Sequence, residues 1–314
     1  MKKTLRNYLR LLRPRQWIKN LAVFTAITFG GQLFMPAVFV RVGFGFLIFC
    51  CLSSAMYVIN DIFDIKKDRI HPFKRFRPLA HNDISLYSAS VLATILVIAA
   101  LIGSLYISSA FFLLIAVYFL LQISYSILFK NIAVIDILAL AGGYILRVYG
   151  GEFLTTYHIS VWLLLTTISL SLFLAIGKRR SELTLVSQSS SSQIAAMRKT
   201  LSHYSERLLD VYASIFATST FISYAFFTFL ENSRRAPIGN DIFFPEYLPA
   251  YLQRKWLMVT IIPVVYGLMR YLQDIYEKHE GESPEKVLLS DRPLLFTVLI
   301  WIFLVVVITY LVQM

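Results

Sequence analysis

The sequence predicts an all-α, polytopic membrane protein with nine transmembrane helices. Three observations predict it. Of 314 residues, 57% are hydrophobic and only 15% charged, with a mean hydropathy of +0.66, whereas soluble domains are nearer a quarter charged. Nine apolar stretches of roughly twenty residues recur along the chain, each suited to crossing a bilayer. Between them, 24 of the 30 Lys and Arg residues fall on one side of the predicted membrane.

In order, residues 1–18 form a basic amphipathic segment, "LRNYLRLLRPRQW" at its heart. Leu5, Leu9 and Leu12 share one face, and Arg6, Arg10 and Arg13 another. Such a helix lies in the membrane interface, with Trp17 as an anchor. The spans follow at 19–35, 39–60, 86–107, 109–128, 132–152, 159–177, 209–230, 256–275 and 294–312. The Lys/Arg bias puts the N-terminus and the loops 61–85 and 178–208 in the cytoplasm, and the loop 231–255 and the C-terminus outside. Within the second loop, "QSSSSQ" (188–193) reads as a flexible low-complexity stretch. The outer loop, rich in Pro, Phe and Tyr, reads as an interfacial cap. The whole is one membrane domain, 1–314.

The net charge of +12 would suggest a nucleic-acid partner in a soluble protein. Here the cations lie between apolar spans, so the lipid bilayer and anionic ligands are the expected partners, with no nucleic acid. Cys50 and Cys51 are adjacent within a span and read as small core residues. Gly142, Gly143, Gly150 and Gly151 read as close helix-packing positions.

Chemistry concentrates in "YVINDIFDIKKDRIHPFKRFRPLA", residues 57–80. Asn60, Asp61, Asp64 and Asp68 fall at helical spacings on one face, at the end of the second span. Three bare carboxylates there repel each other and are costly unless a cation lies among them. Mg²⁺ resolves this, taking one or two carboxylates and completing its shell with water and phosphate oxygens. The cluster therefore reads as a site for a Mg²⁺-bound diphosphate. The alternative is a solvated acidic helix end paired with Lys66, Lys67 and Arg69.

Lys74 and Arg77 follow at once and suit phosphate oxygens, although either reads equally as a positive-inside residue. Further candidates share that membrane side: Lys19 in "PRQWIKN", Tyr125 and Lys130 in "YSILFKN", Lys178 and Arg179 in "GKRRSEL", and "DRPLL" before the last span. Tyr57 lies one turn before Asn60. Arg147, in "GGYILRVYGGE", is an arginine within a span. It needs either an anionic ligand or a partner such as Glu152 or Asp136.

The motif N-D-x-x-D-x-x-x-D at the cytoplasmic end of a second span resembles the UbiA superfamily of intramembrane prenyltransferases. Those proteins hold a prenyl diphosphate through Mg²⁺ on two Asp-rich motifs. The first matches at Asn60, Asp61, Asp64 and Asp68; where the second would stand, this chain has "GKRRSEL", and no D-x-x-x-D follows Asp68. Together with "LRPRQWIKN", "ILRVYGGE" and "SDRPLL", this pattern is similar to the decaprenyl-phosphate phosphoribosyltransferase branch. The resemblance implies nine helices around a central cavity open to the cytoplasm, in the bacterial inner (cell) membrane. It implies transfer of 5-phosphoribose from phosphoribosyl pyrophosphate (PRPP) to a C50 or C55 polyprenyl phosphate, releasing diphosphate, in cell-envelope glycan precursor synthesis.

Carried over by position, Asn60 and Asp64, with Asp61 or Asp68, would hold Mg²⁺, and the three aspartates would form the catalytic set. Lys19, Tyr57 and Lys130 would contact PRPP. Lys74, Arg77, Arg147, Lys178 and Arg179 would divide between its 5-phosphate and the lipid phosphate. A second acidic motif would repel that lipid phosphate, whereas "GKRR" attracts it. The rival readings are prenyl transfer to an aromatic acceptor, against which the missing second motif argues, and anionic-lipid transport. The sequence leaves the oligomeric state open.

Overall fold

The computed structural model describes residues 2–70, 74–188, 203–230, 256–277 and 284–312. Loop 231–255 and the low-complexity stretch beyond Gln188 lie outside the described residues, as does the side chain of Lys74. Every regular element among the described residues is helical.

The chain opens with α1 (Lys2–Leu12), then a 3₁₀ segment, Pro14–Phe24, that runs into α2 (Thr25–Phe29). Next come α3 (Pro36–Ile70), α4 (Leu86–Ile107), α5 (Ser109–Ile127), α6 (Ile135–Leu154) and α7 (Val161–Gln188). The remainder is α8 (Glu206–Leu230), a 3₁₀ turn leading into α9 (Ile261–Tyr276), the short α10 (Pro284–Ser290) and α11 (Arg292–Val307). Local chemistry sets several starts. The side chains of Ser85, Ser108 and Asp291 accept from the backbone N–H groups of Ser88, Phe111 and Leu294, capping α4, α5 and α11.

Among the described residues, eight helices are long and apolar enough to cross a membrane, from Pro36–Lys66 to Arg292–Leu311. They correspond to the second through ninth expected spans. The first, 19–35, takes another form. Its residues are divided between the 3₁₀ segment, α2 and a turn at Gly30 and Gly31, where Gly31 adopts φ 68°. Because 3₁₀ winding rises about 2.0 Å per residue against 1.5 Å for an α-helix, Pro14–Phe29 is nevertheless about 30 Å long. Gly151 lets this segment approach α6: a Cβ there would lie 2.1 Å from the carbonyl oxygen of Val23.

Two main cores result. One joins Ile137 of α6, Phe173 and Ile176 of α7, Leu209 of α8, Tyr271 of α9 and Val287 of α10. The other joins Val23 and Ile27 to Phe49 and Leu52 of α3, Ile115 of α5 and Leu154 of α6. Outward faces stay apolar, as at Ile95, Ile98, Ile102 and Leu105 of α4, which suits hydrocarbon as solvent. On α1, Leu5 and Leu9 are exposed while Leu11 is fully buried against Val58, Leu79 and Ala93. The indole N–H of Trp17 donates to Ser54 Oγ at 2.9 Å, tying the N-terminal segment to α3. Cys50 is buried and accepts from Asn20, in keeping with a core role.

Candidate functional site

The acidic motif lies on α3, which runs 35 residues without a break. At about 100° per residue, Asp61 and Asp68 form one row and Asn60 and Asp64 another. The structure treats these rows differently. Asp61 and Asp68 are buried, and Arg77 Nη1 bridges them at 3.1 and 2.6 Å. Arg13, from the end of α1, also donates to Asp61. Asp64 is half-buried and pairs with Lys130 at 2.9 Å, both side chains being 21% exposed. Asn60 makes no side-chain hydrogen bond among the described residues.

The N-terminal segment closes over this row. The Arg13 guanidinium stacks over the Tyr57 ring, 5.1 Å from its centroid. Tyr57 OH donates to Gln16 Oε1 at 3.2 Å, and Gln16 Nε2 donates to Glu285 Oε1 on α10. Glu285 Oε2 in turn pairs with Lys19 Nζ at 3.0 Å. Burial pushes the Glu285 carboxyl up, but Lys19 and the Gln16 hydrogen bond outweigh it and hold the group below its ordinary 4.5.

At the place of the absent second acidic motif, α7 carries three cations. Arg179 is buried, pairs with Asp136 at 2.6 Å and with Glu182, and donates to Tyr125 OH at 3.0 Å. Asp136 also accepts from Tyr204 OH at 2.7 Å; burial and that carboxylate raise the Tyr204 phenol well above its ordinary value. Arg180 pairs with Asp210 and Glu206 on α8. Lys178 precedes them, half-buried.

Arg147 has neither of its expected carboxylate partners. Asp136 is taken by Arg179, and Glu152 lies by His158 at 3.1 Å. Arg147 instead donates to Asn20 Oδ1, the Gly143 carbonyl and Tyr118 OH, at 2.6–2.7 Å. The rings of Tyr118 and Tyr144 lie 5.0 and 5.7 Å away, so a buried guanidinium is held by dipoles and π-faces.

The structure thus joins Arg13, Lys19, Tyr57, Asp61, Asp68 and Arg77 in one polar network, with Asp64 and Lys130 as an adjoining pair. Tyr125 and Arg179 form a second network, and Arg147 a third in the core. Sequence reasoning missed Arg13, Gln16 and Glu285. The first two lie in the quoted "LRPRQWIKN", whose polar residues at the head of a span were the available signal. Glu285 lies in a polar loop with nothing to mark it. Two pockets, one of about 620 Å³ lined by Trp162 and Ser219 and one of about 390 Å³ lined by Phe44 and Gly103, have no residue of the acidic motif in their walls.

The donor set fits Mg²⁺. Asn60 and Asp64 offer hard oxygen ligands from one row of α3, although no group of three His, Cys, Asp or Glu side chains that could hold a metal ion stands among the described residues. A cation there would keep most of its shell for water and phosphate oxygens, which is the preference of Mg²⁺.

The UbiA prenyltransferase family matches residues 21–300. A decaprenyl-phosphate phosphoribosyltransferase of Mycolicibacterium smegmatis is 34% identical over 298 residues, covering 94% of this chain and 89% of that protein. The protein of the same description from Corynebacterium glutamicum is 31% identical over 311 residues, covering 98% and 87%. A UbiA homologue from Archaeoglobus fulgidus, solved with GPP and Mg²⁺, superposes with a TM-score of 0.70 at 20% identity, covering 96% of this chain and 99% of that one. The chain, with its Asp-rich motif on α3 and its all-helical membrane architecture, belongs to the UbiA prenyltransferase family.

Proposed function

We propose that this protein transfers 5-phosphoribose from PRPP to a polyprenyl phosphate, C50 or C55, with release of diphosphate, for cell-envelope glycan precursor synthesis. It would do so at the cytoplasmic face of a bacterial inner membrane, with its N-terminus inside and C-terminus outside. The carrying observation is the likeness over nearly the whole chain to two phosphoribosyltransferases. The site chemistry is consistent with it: one Asp-rich motif, on α3, and no second one at residues 178–180 of α7, where Arg179 and Arg180 are paired with carboxylates.

In this reading Asn60 and Asp64 would hold Mg²⁺ on the diphosphate of PRPP. The metal, when bound, neutralises charge on the departing diphosphate. Asp61 and Asp68, locked by Arg77, set the pitch and position of the end of α3. Lys130 exchanges Asp64 for a phosphate oxygen, and Lys19 and Tyr57 contact PRPP from the facing side. Lys74, Arg77 and Lys178 attract the 5-phosphate and the lipid phosphate. Arg179 orients Tyr125, and Arg147 fixes Asn20 beside Lys19. An anionic oxygen of the lipid phosphate bonds to ribose C1 as the C1–O bond to diphosphate breaks. That oxygen carries no proton, so no general base is required; positioning and electrostatics supply the rate.

The test is a transfer assay in detergent with Mg²⁺, radiolabelled PRPP and C55 polyprenyl phosphate. Labelled lipid is expected. No labelled lipid, together with reaction of a prenyl diphosphate with 4-hydroxybenzoate, would overturn the proposal in favour of prenyl transfer.

A further inference from the structure

We infer that Glu285 is a positioning residue for the donor substrate, holding Lys19 directly and Tyr57 through Gln16. The inference rests on the function proposed above. Glu285 belongs to α10, the short helix between α9 and α11, and is 5% exposed. A carboxylate taken so far out of water is tolerated only when its charge and lone pairs are met. Here both oxygens are engaged by the N-terminal segment: Oε1 by Gln16 Nε2 and Oε2 by Lys19 Nζ at 3.0 Å.

The consequences run in two directions. An ammonium has three donors, so anchoring one on Glu285 restricts where the other two can point. The Lys19 side chain keeps 17% exposure, against 3% for Glu285, which leaves the lysine as the member of the pair open to a ligand. A carboxylate can only accept, so it also fixes the Gln16 amide with its nitrogen toward Glu285 and its oxygen toward Tyr57. Tyr57 OH then donates to that oxygen at 3.2 Å. Tyr57 lies one turn before Asn60 and Asp61. One acidic residue, remote in sequence, therefore orients two side chains assigned to PRPP.

The experiment compares Glu285→Gln, Glu285→Asp, Lys19→Ala and the Lys19→Ala/Glu285→Gln double variant as full-length protein, with PRPP and C55 polyprenyl phosphate varied separately. Glu285→Gln should raise KM for PRPP about tenfold, the scale of one charge-assisted hydrogen bond, with kcat and KM for the lipid near wild type. Glu285→Asp, which keeps the charge, should recover part of the loss. The double variant should be no worse than Lys19→Ala alone. A wild-type KM for PRPP in Glu285→Gln, additive losses in the double variant, or equal damage to kcat and both KM values would overturn the inference. If Glu285→Gln fails to fold, Gln16→Met and Glu285→Asp carry the same KM comparison. A wild-type enzyme that makes no labelled lipid overturns the function itself, which separates the two failures.

Discussion

Lys130 Nζ stands 2.9 Å from Asp64 Oδ1, joining residues 66 positions apart in sequence. Both members are partly open to solvent, whereas Asp61 and Asp68 are buried against arginines. In the function proposed above, Asp64 would be the carboxylate that changes partners when a cation arrives.

Asp64→Asn tests this. The amide keeps the shape and one oxygen but loses the charge. Turnover should fall by about a hundredfold or more, the scale of losing a group that stabilises transition-state charge. Size-exclusion elution and thermal midpoint in detergent should stay near wild type, because an ion pair partly open to solvent contributes little stability. Surviving turnover would remove Asp64 from the metal-binding role.

Arg77 should behave in the opposite way. Arg77→Met removes the cation that bridges buried Asp61 and Asp68, leaving Arg13 on Asp61, at a cost of about 3 kcal/mol. The expected readout is a lower thermal midpoint together with lost activity. Adding Asp68→Asn should return part of the midpoint, because it removes one of the two buried carboxylate charges that Arg77 neutralises.

Gly151→Ala checks the packing of the N-terminal segment. The added methyl would lie 2.1 Å from the Val23 carbonyl oxygen, an atom of the backbone that cannot rotate away. A loss of about 2 kcal/mol is expected, on the scale of overpacking in a dense core. An unchanged thermal midpoint would show that the segment does not rest on α6.

Glu285 carries a pH dependence. Its pKa is held below the ordinary 4.5, so its ion pair is fully stabilising above that value and is lost as pH falls through the lowered one. Wild-type thermal midpoints should drop below about pH 4.5, and Glu285→Gln should flatten that part of the profile. Parallel curves would place the acid sensitivity elsewhere.

The sequence alone determined the fold class, the eight long spans and the acidic motif. Apolar runs and helical spacings are local patterns, and local patterns survive translation into helices. The first span escaped because its apolar length did not reveal the 3₁₀ winding of a segment that packs against α3 and α6. Tertiary structure alone decided the division of labour within the motif. On paper Asp61, Asp64 and Asp68 are equivalent carboxylates on one arc. In the folded chain Arg77 and Arg13 seal two of them and Lys130 holds the third half-open. The same reason governs Arg147 and Glu285: a charge in a low-dielectric interior takes its meaning from its partner. Those partners, Asn20 and Tyr118 for one and Lys19 and Gln16 for the other, come from remote helices that only the fold brings within hydrogen-bond distance.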